Sequence, residues 1–410
     1  MATIAVIGGG IVGCATAAWL IADGHNVTLF ERSLDERPAS AGNAGLIALP
    51  EITPLARPGV LSSVPGWLVD PLGPLAIKFR DLPALTPFLM RFIAAANPTR
   101  VEAATAALAG LMGSALADHQ ELARRSGLSR HMTRTGALHI IDGASAYSAA
   151  RKEWTERRQH GVEVNEIAPE AARRMVPALT GRFSNALFVP DYWMVSSPAA
   201  VLDALRARIR AAGIISRNDV IAIHRDDREV SVITAEGGDL PFDRIVVAAG
   251  VWSRDIVRDL GLKVRLEAER GYNITLAGNP VDLPLPVVFA QFGMAVTPLA
   301  DGLRIGGAVE LATPDAPPNY LRGEAMRKTL RRFIPTLPET GGSEWMGRRP
   351  ATPDSLPVIG RDPRDPRIVF AFGHGHLGLT LSAATARHVS ALIGGRDDPG
   401  LRPFGIERFQ

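Results

Sequence analysis

The stretch from Ile4 to Arg32 reads IAVIGGGIVGCATAAWLIADGHNVTLFER, and its order of residue types decides the fold. Ile4 to Ile7 is a short apolar, β-branched run, the pattern of a strand buried on both faces of a parallel sheet. Gly8, Gly10 and Gly13 follow at the G-x-G-x-x-G spacing. The first permits a tight turn, the second lets a pyrophosphate approach the backbone, and the third lets helix and strand pack closely. Ile11 to Ala22 suits a helix whose free N-terminal N–H groups face the phosphates. Asn26 to Phe30 is the next strand, and Glu31 at its end is placed to accept hydrogen bonds from ribose hydroxyls. Glu31 also disfavours a 2′-phosphate, while Arg32 beside it can stack on adenine or pair with phosphate. The stretch therefore predicts a dinucleotide site, open between nicotinamide and flavin because both carry an ADP half.

The totals set the outer bounds. At 410 residues, with 46% hydrophobic residues and both charge signs dispersed, the chain is long enough for two globular domains. A formal charge of +3 with no basic block argues against nucleic acid. Cys14 is the single cysteine, which excludes an internal disulfide and any multi-cysteine metal site. No apolar run is long enough for a membrane-spanning helix. The apolar N-terminus lacks a basic leader and already forms the dinucleotide strand, so a cytoplasmic protein is expected. Residues 60–96 hold Trp67, Leu68, Leu72, Leu75, Phe79, Leu82, Leu85, Phe88 and Phe92 among prolines, with Lys78, Arg80 and Arg91. Core packing accounts for such a segment, and so does peripheral contact with the inner face of a membrane.

Further along, 101–126 reads as a long helix and 146–160 as another. Ser197 caps a helix running to Ala212. Strand signals return at Asn218–His224, Glu229–Thr234 and Arg244–Ala248. The last, in DRIVVAAGVWS, repeats the character of the opening strand and breaks at Ala249-Gly250, so it is expected in the same sheet. That makes the nucleotide domain discontinuous: 1–60, parts of 134–260, and 345–410. The substrate domain takes 61–133, parts of 146–195, and 261–344.

The C-terminal region separates the two cofactors. VFAFGHGHLGLTLSAATARHVSALI, Val369 to Ile393, is again strand, glycine turn and helix, with Gly373, Gly375 and Gly378 in the turn. Such a turn aims backbone N–H groups at an anionic edge, which a reduced flavin has and nicotinamide lacks. The fingerprint, the SAGNAG loop, GRRPATPD and GHGHLGLT together resemble the D-amino-acid dehydrogenases of the glycine oxidase and D-amino-acid oxidase superfamily. The resemblance runs over nearly the whole chain, with GHGHLGLT and RPATPD its most specific parts. It implies an α/β fold: a Rossmann-type FAD-binding domain, discontinuous in sequence, and a mixed β-sheet substrate domain with helices. It also implies a deeply buried, noncovalent FAD. The expected cofactor contacts are Gly8, Gly9, Gly10, Ile11, Val12, Gly13, Glu31, Arg32, Ser40, Asn43, Ala44, Gly45 and Leu46. Further along they are Val220, Ala249, Gly250, Trp252, Gly375, His376, Leu377, Gly378, Leu379 and Thr380. His376 departs from the family, which often has threonine there.

Flavin-dependent oxidation of an amino acid moves the α-hydrogen as hydride to N5, so the protein's main task is positioning. An arginine fork is the best grip on a carboxylate. The resemblance implies Arg349 for that role; Arg348 beside it would point elsewhere. Tyr272 in ERGYNIT could add a carboxylate hydrogen bond, and Tyr320 could serve from a loop able to act as a lid. His374 and His376 have no acidic neighbours in sequence, and no metal site is expected. The expected reaction is oxidative deamination of a D-amino acid or a cyclic imino acid of the D-proline or hydroxyproline type. Its imine would yield a 2-oxo acid and ammonia, or a cyclic imine where the amine is in a ring, with a quinone or another carrier as electron acceptor. Three alternatives stand: an oxygen-using oxidase of glycine or sarcosine type, a flavoprotein subunit of a larger dehydrogenase complex, and an NAD-binding dehydrogenase without flavin.

Overall fold

The computed structural model describes residues 1–34, 36–60, 64, 72–73, 75–128 and 132–410. The opening strand Thr3–Ile7 lies inside a sheet, paired in parallel with Asn26–Phe30 on one side and Arg244–Val247 on the other. Ile214–Ser216 extends the sheet beyond Asn26–Phe30, and Asp365–Phe372 extends it beyond Arg244–Val247. Val358–Asp362 closes the far edge antiparallel. Six strands drawn from distant parts of the chain thus build one sheet. Ile4, Ala5, Val6, Val246, Val247, Val369 and Phe370 are fully buried, as central strands covered on both faces require.

On one face the helices Ile11–Ala22, Pro198–Ala212 and Gly378–Ile393 pack against the sheet. Ser197 caps the second of these, its Oγ accepting the Ala200 N–H at 3.3 Å. The long helix Pro98–Ser126 joins the same layer: Leu108, Leu111, Met112 and Leu122 share the core that holds Ile4, Val6 and Leu381. The sequence division placed this helix with the substrate side. Its buried stripe at three- and four-residue spacing says that it covers something, but not which sheet. The opposite face is covered by the antiparallel strands Val220–Arg225, Val230–Thr234 and Asp239–Phe242 and by the helix Ser253–Asp259.

The second sheet is mixed. Its order runs Ser343–Ala351, Glu267–Leu276, Gly302–Leu311, Met294–Leu299, Val287–Phe289, Ala137–Ile141, Asn185–Val189 and Asn165–Ile167. Leu75–Ile77 pairs in parallel with the end of Gly302–Leu311. A separate core lies against this sheet, including Tyr272, Ile274, Phe289, Ile305, Met326 and Phe333.

No helix among the described residues is long and apolar enough to cross a membrane. Of the apolar segment singled out in 60–96, Trp67 and Leu68 lie outside the described residues. Leu82–Ala95 is a helix that buries Leu85 and Phe88. It leaves Leu82, Met90 and Ile93 exposed at 38%, 66% and 59%, so part of this segment is core and part is surface.

Candidate functional site

A cavity of about 530 Å³ runs along the C-terminal edge of the parallel sheet. That is where open α/β sheets bind ligands, at the point where strand order reverses. Gly8, Gly10, Ile11 and Val12 line it, as do Glu31, Arg32, Ser40, Asn43, Val220, Ala249, Gly250 and Trp252. Gly375, His376, Gly378 and Leu379 line its other end. The N-termini of two helices, Ile11–Ala22 and Gly378–Ile393, therefore reach one elongated space. Fixed partial positive charge at two points suits a ligand with two electron-rich parts.

The glycine positions explain themselves in space. Gly8 has φ +109°, and a Cβ there would lie 2.4 Å from the Ala248 carbonyl oxygen. A Cβ on Gly13 would sit 1.9 Å from the Gly8 oxygen. A Cβ on Gly10 meets nothing of the protein within 4 Å; it would project into open space at the helix N-terminus. Glu31 accepts the Gly9 N–H at 2.7 Å and the Ser33 N–H at 3.3 Å, which holds its carboxylate at the cavity wall. Arg32 lies 3.7 Å from the Trp252 ring centroid, stacked on the indole. Glu31→Gln is expected to weaken retention of the dinucleotide by about 1.5–3 kcal/mol, the worth of a charged hydrogen bond. Substrate preference should not change. Full occupancy after exhaustive dialysis would count against a ribose contact.

The early loop is held by its own polar atoms. Ser40 Oγ accepts the Ile11 N–H at 3.2 Å, and Asn43 Oδ1 accepts the Gly45 N–H at 2.8 Å. Thr380 Oγ1 accepts the Ala48 N–H at 3.1 Å, which ties this loop to the late glycine turn. Ala44, Gly45, Leu46, Leu377 and Thr380 stand behind the lining rather than in it.

Several contributors were not legible in sequence. Arg206, buried on the helix Pro198–Ala212, donates from Nη2 to the Gly9 carbonyl at 3.0 Å and backs the glycine turn. Its one signal is an arginine on the apolar face, in step with Leu202, Leu205 and Ile209. Arg304, also buried, donates to the Asn43 carbonyl at 2.7 Å and fixes the early loop to the second sheet. Glu51 accepts from Tyr192 Oη at 2.6 Å and from Arg157 Nη2 at 2.8 Å. Burial would raise the Glu51 carboxyl, but Arg157 and both hydrogen bonds outweigh it and hold the carboxyl well below its usual range.

The edge strand Ser343–Ala351 brings the second sheet to the cavity, where Met346, Gly347, Arg348 and Pro350 line the wall. It pairs antiparallel with Glu267–Leu276, so Glu269 lies opposite Arg349, Gly271 opposite Gly347, and Asn273 opposite Trp345. Residues two apart share a face. Arg348 points the other way from Arg349, donates to the Pro314 carbonyl at 2.6 Å and reaches the cavity wall. Arg349 Nη1 instead meets Glu269 Oε1 at 2.8 Å. The guanidinium lies over Gly271, where a Cβ would come within 2.3 Å of Nη2.

Tyr272 sits on the opposite face, 2% exposed, with its hydroxyl donating to Glu310 at 2.5 Å and accepting the Asn319 N–H at 3.1 Å. Burial and the Glu310 carboxylate push its pKa up to about 12. Tyr320 packs edge-on against it at 6.3 Å and is 39% exposed. Arg270, with no exposed surface, completes this cluster 3.1 Å from Glu310. His374 is pulled down to about 3 by burial, with Nε2 2.9 Å from Thr385 Oγ1. His376 is also lowered by burial, against the pull of Glu269 and Glu51. Both rings are neutral near pH 7.

A discontinuous dinucleotide fold, two helix N-termini on one elongated cavity, and an arginine-bearing sheet along its wall are the features of a flavin-dependent oxidoreductase. The chain belongs to the FAD dependent oxidoreductase family known as DAO, whose profile matches residues 3–392. It is 34% identical to a D-amino-acid oxidase of Bradyrhizobium diazoefficiens over 99% of this chain and 98% of that one. It is 30% identical to a D-amino acid dehydrogenase of Paramagnetospirillum magneticum, again over 99% and 98%. Among solved structures, the glycine oxidase of Geobacillus kaustophilus superposes with a TM-score of 0.74 at 22% identity, covering 99% of each chain. The L-proline dehydrogenase of P. horikoshii superposes at 0.73 and 20% identity, over 99% of this chain and 97% of that one. The cofactor is FAD, and the glycine cradle, Glu31 and the second helix N-terminus fit its two halves.

Proposed function

We propose that this enzyme oxidises a D-amino acid or a cyclic imino acid of the D-proline or hydroxyproline type at Cα. Bound FAD supplies the two-electron acceptor. Arg349 binds the substrate carboxylate, which sets the position of the α-hydrogen. The observation that carries this reading is the state of Arg349. It is seated over Gly271, engaged by Glu269 through one nitrogen, and its Nε and Nη2 have no hydrogen-bond acceptor among the described residues. A planar donor edge left open on a half-buried edge strand suits a carboxylate. The names of the oxidase and dehydrogenase relatives support the D-amino acid class.

Anaerobic mixing with D- and L-amino acids and imino acids tests it. Bleaching of the flavin absorbance by D-enantiomers or cyclic imino acids is expected. Reduction by L-amino acids alone, or by none of the panel, overturns it. The flavin is proposed to be noncovalent. Cys14 is buried with its Sγ against the Gly9 carbonyl, and burial raises its thiol to about 12, so it is unsuited to attack.

The proposed electron acceptor is a quinone or another carrier. The exposed apolar side chains of Leu82–Ala95, with Arg80 and Arg91 beside them, would rest on an anionic membrane surface. Protein staying wholly in the supernatant with anionic liposomes at low salt would remove that contact. The relative named as an oxidase favours a second reading, in which oxygen takes the electrons. Stoichiometric peroxide during turnover decides for it.

A further inference from the structure

We infer that Glu269 and Arg349 act together as a receptor for a zwitterion, with Glu269 the residue that selects amino acids over plain carboxylates. The inference rests on the reading of Arg349 as the carboxylate-binding residue and adds a partner that this reading does not require.

Glu269 and Arg349 are direct cross-strand partners on one face, Nη1 to Oε1 at 2.8 Å. The arginine side chain keeps 27% exposure and the glutamate 6%, so the ion pair is approached from the guanidinium side. Gly271 leaves the seat that lets the guanidinium lie flat against the sheet. The pair carries no net charge. A plain carboxylate arriving at Arg349 therefore meets a second, fixed carboxylate within one side chain's reach, and juxtaposed like charges oppose binding. An α-amino acid carries its ammonium one carbon from its carboxylate. Bound with the carboxylate on Arg349 and the ammonium on Glu269, it completes an alternating ring of four charges, and each buried charge keeps a partner. His376, which lines the cavity and feels this pair together with the Glu51 and Arg157 ion pair, is lowered by burial and does not compensate a net negative charge.

The same arrangement clears the product. Once the imine hydrolyses, the 2-oxo acid has a carboxylate and no cation. It then faces Glu269 as a like charge, so weak product inhibition follows from the selectivity for substrate.

The test uses a matched pair of ligands on the FAD-loaded protein, with binding read from perturbation of the flavin spectrum. 2-Aminoisobutyrate is a zwitterion without an α-hydrogen and so cannot be oxidised; isobutyrate is the same skeleton without the amine. The native protein is expected to prefer the zwitterion. Glu269→Gln should tighten isobutyrate and loosen 2-aminoisobutyrate, each on the order of tenfold. Glu269→Asp, which keeps the charge, should retain the native preference. Arg349→Ala should lose both ligands. Equal changes for both ligands in Glu269→Gln, no change for either, or no binding of either ligand to the native protein overturns the inference. If Arg349→Ala still binds isobutyrate like the native protein, the carboxylate is held elsewhere and the reading beneath has failed. If Arg349→Ala loses isobutyrate while Glu269→Gln keeps the native preference, the zwitterion receptor alone has failed.

Discussion

Arg349→Lys is expected to lower kcat/KM for amino acids by about tenfold to a hundredfold, the cost of losing a charged hydrogen bond of roughly 1.5–3 kcal/mol. The protein should stay folded and yellow. Lysine keeps a positive charge beside Glu269, so the ion pair at 2.8 Å survives in altered form. What disappears is the flat two-point donor edge, and with it the orientation of the α-hydrogen. Arg349→Ala is expected to be worse on two counts. The substrate carboxylate loses its cation, at about 2–5 kcal/mol for a truncated charge pair. Glu269, 5% exposed, is then left buried without its partner, so the melting temperature should fall as well. Steady-state kinetics, flavin content and thermal unfolding of both variants separate these effects. Wild-type kinetics in Arg349→Ala would move the carboxylate site elsewhere. Tyr272 is poorly placed to replace it, because its hydroxyl is already committed to Glu310.

The second large effect concerns two glycines three residues apart. Gly10→Ala should yield a stably folded apoprotein that retains little FAD, since its new Cβ meets no protein atom and enters only the space beside the helix N-terminus. Gly13→Ala should damage both cofactor binding and folding. Its Cβ falls 1.9 Å from the Gly8 carbonyl oxygen, which is backbone and cannot rotate away. Pushing the helix off the strand costs about 1–3 kcal/mol or more by overpacking, and moves the N–H groups that face the pyrophosphate. Flavin-to-protein ratio and urea unfolding of the two apoproteins distinguish the cases. Gly110→Ala, in the middle of the helix Pro98–Ser126 with nothing within 4 Å of the new atom, is the control. Equal FAD content in Gly10→Ala and the native protein would mean that the pyrophosphate lies elsewhere.

The FAD-binding half was legible in the sequence because its determinants are local. A β-branched run, glycines at fixed spacing and an acid at the next strand's end act through the backbone they sit on, and backbone conformation follows from near neighbours. The same holds for the late turn from Gly373 to Leu379 and for the strand at Arg244–Val247, whose apolar run marked it for the first sheet. Strand order and helix placement were not local. Pro98–Ser126 carries a buried stripe that any sheet could have covered, and only packing against Gly378–Ile393 decided which one did.

The proposed substrate-binding end depended most on tertiary structure. Arg348 and Arg349 are neighbours in sequence, and the pleat sends one to the cavity wall and the other to Glu269. Glu269 lies eighty residues from Arg349, in a stretch with no motif, and becomes its partner only through strand register. Glu51, Arg157 and Tyr192 meet in the same way from three distant segments. The sequence by itself determined that a dinucleotide is bound, because that binding is written in local backbone geometry. Which charges lie opposite one another was decided by the tertiary structure, because side chains far apart in the chain meet only when the sheet forms.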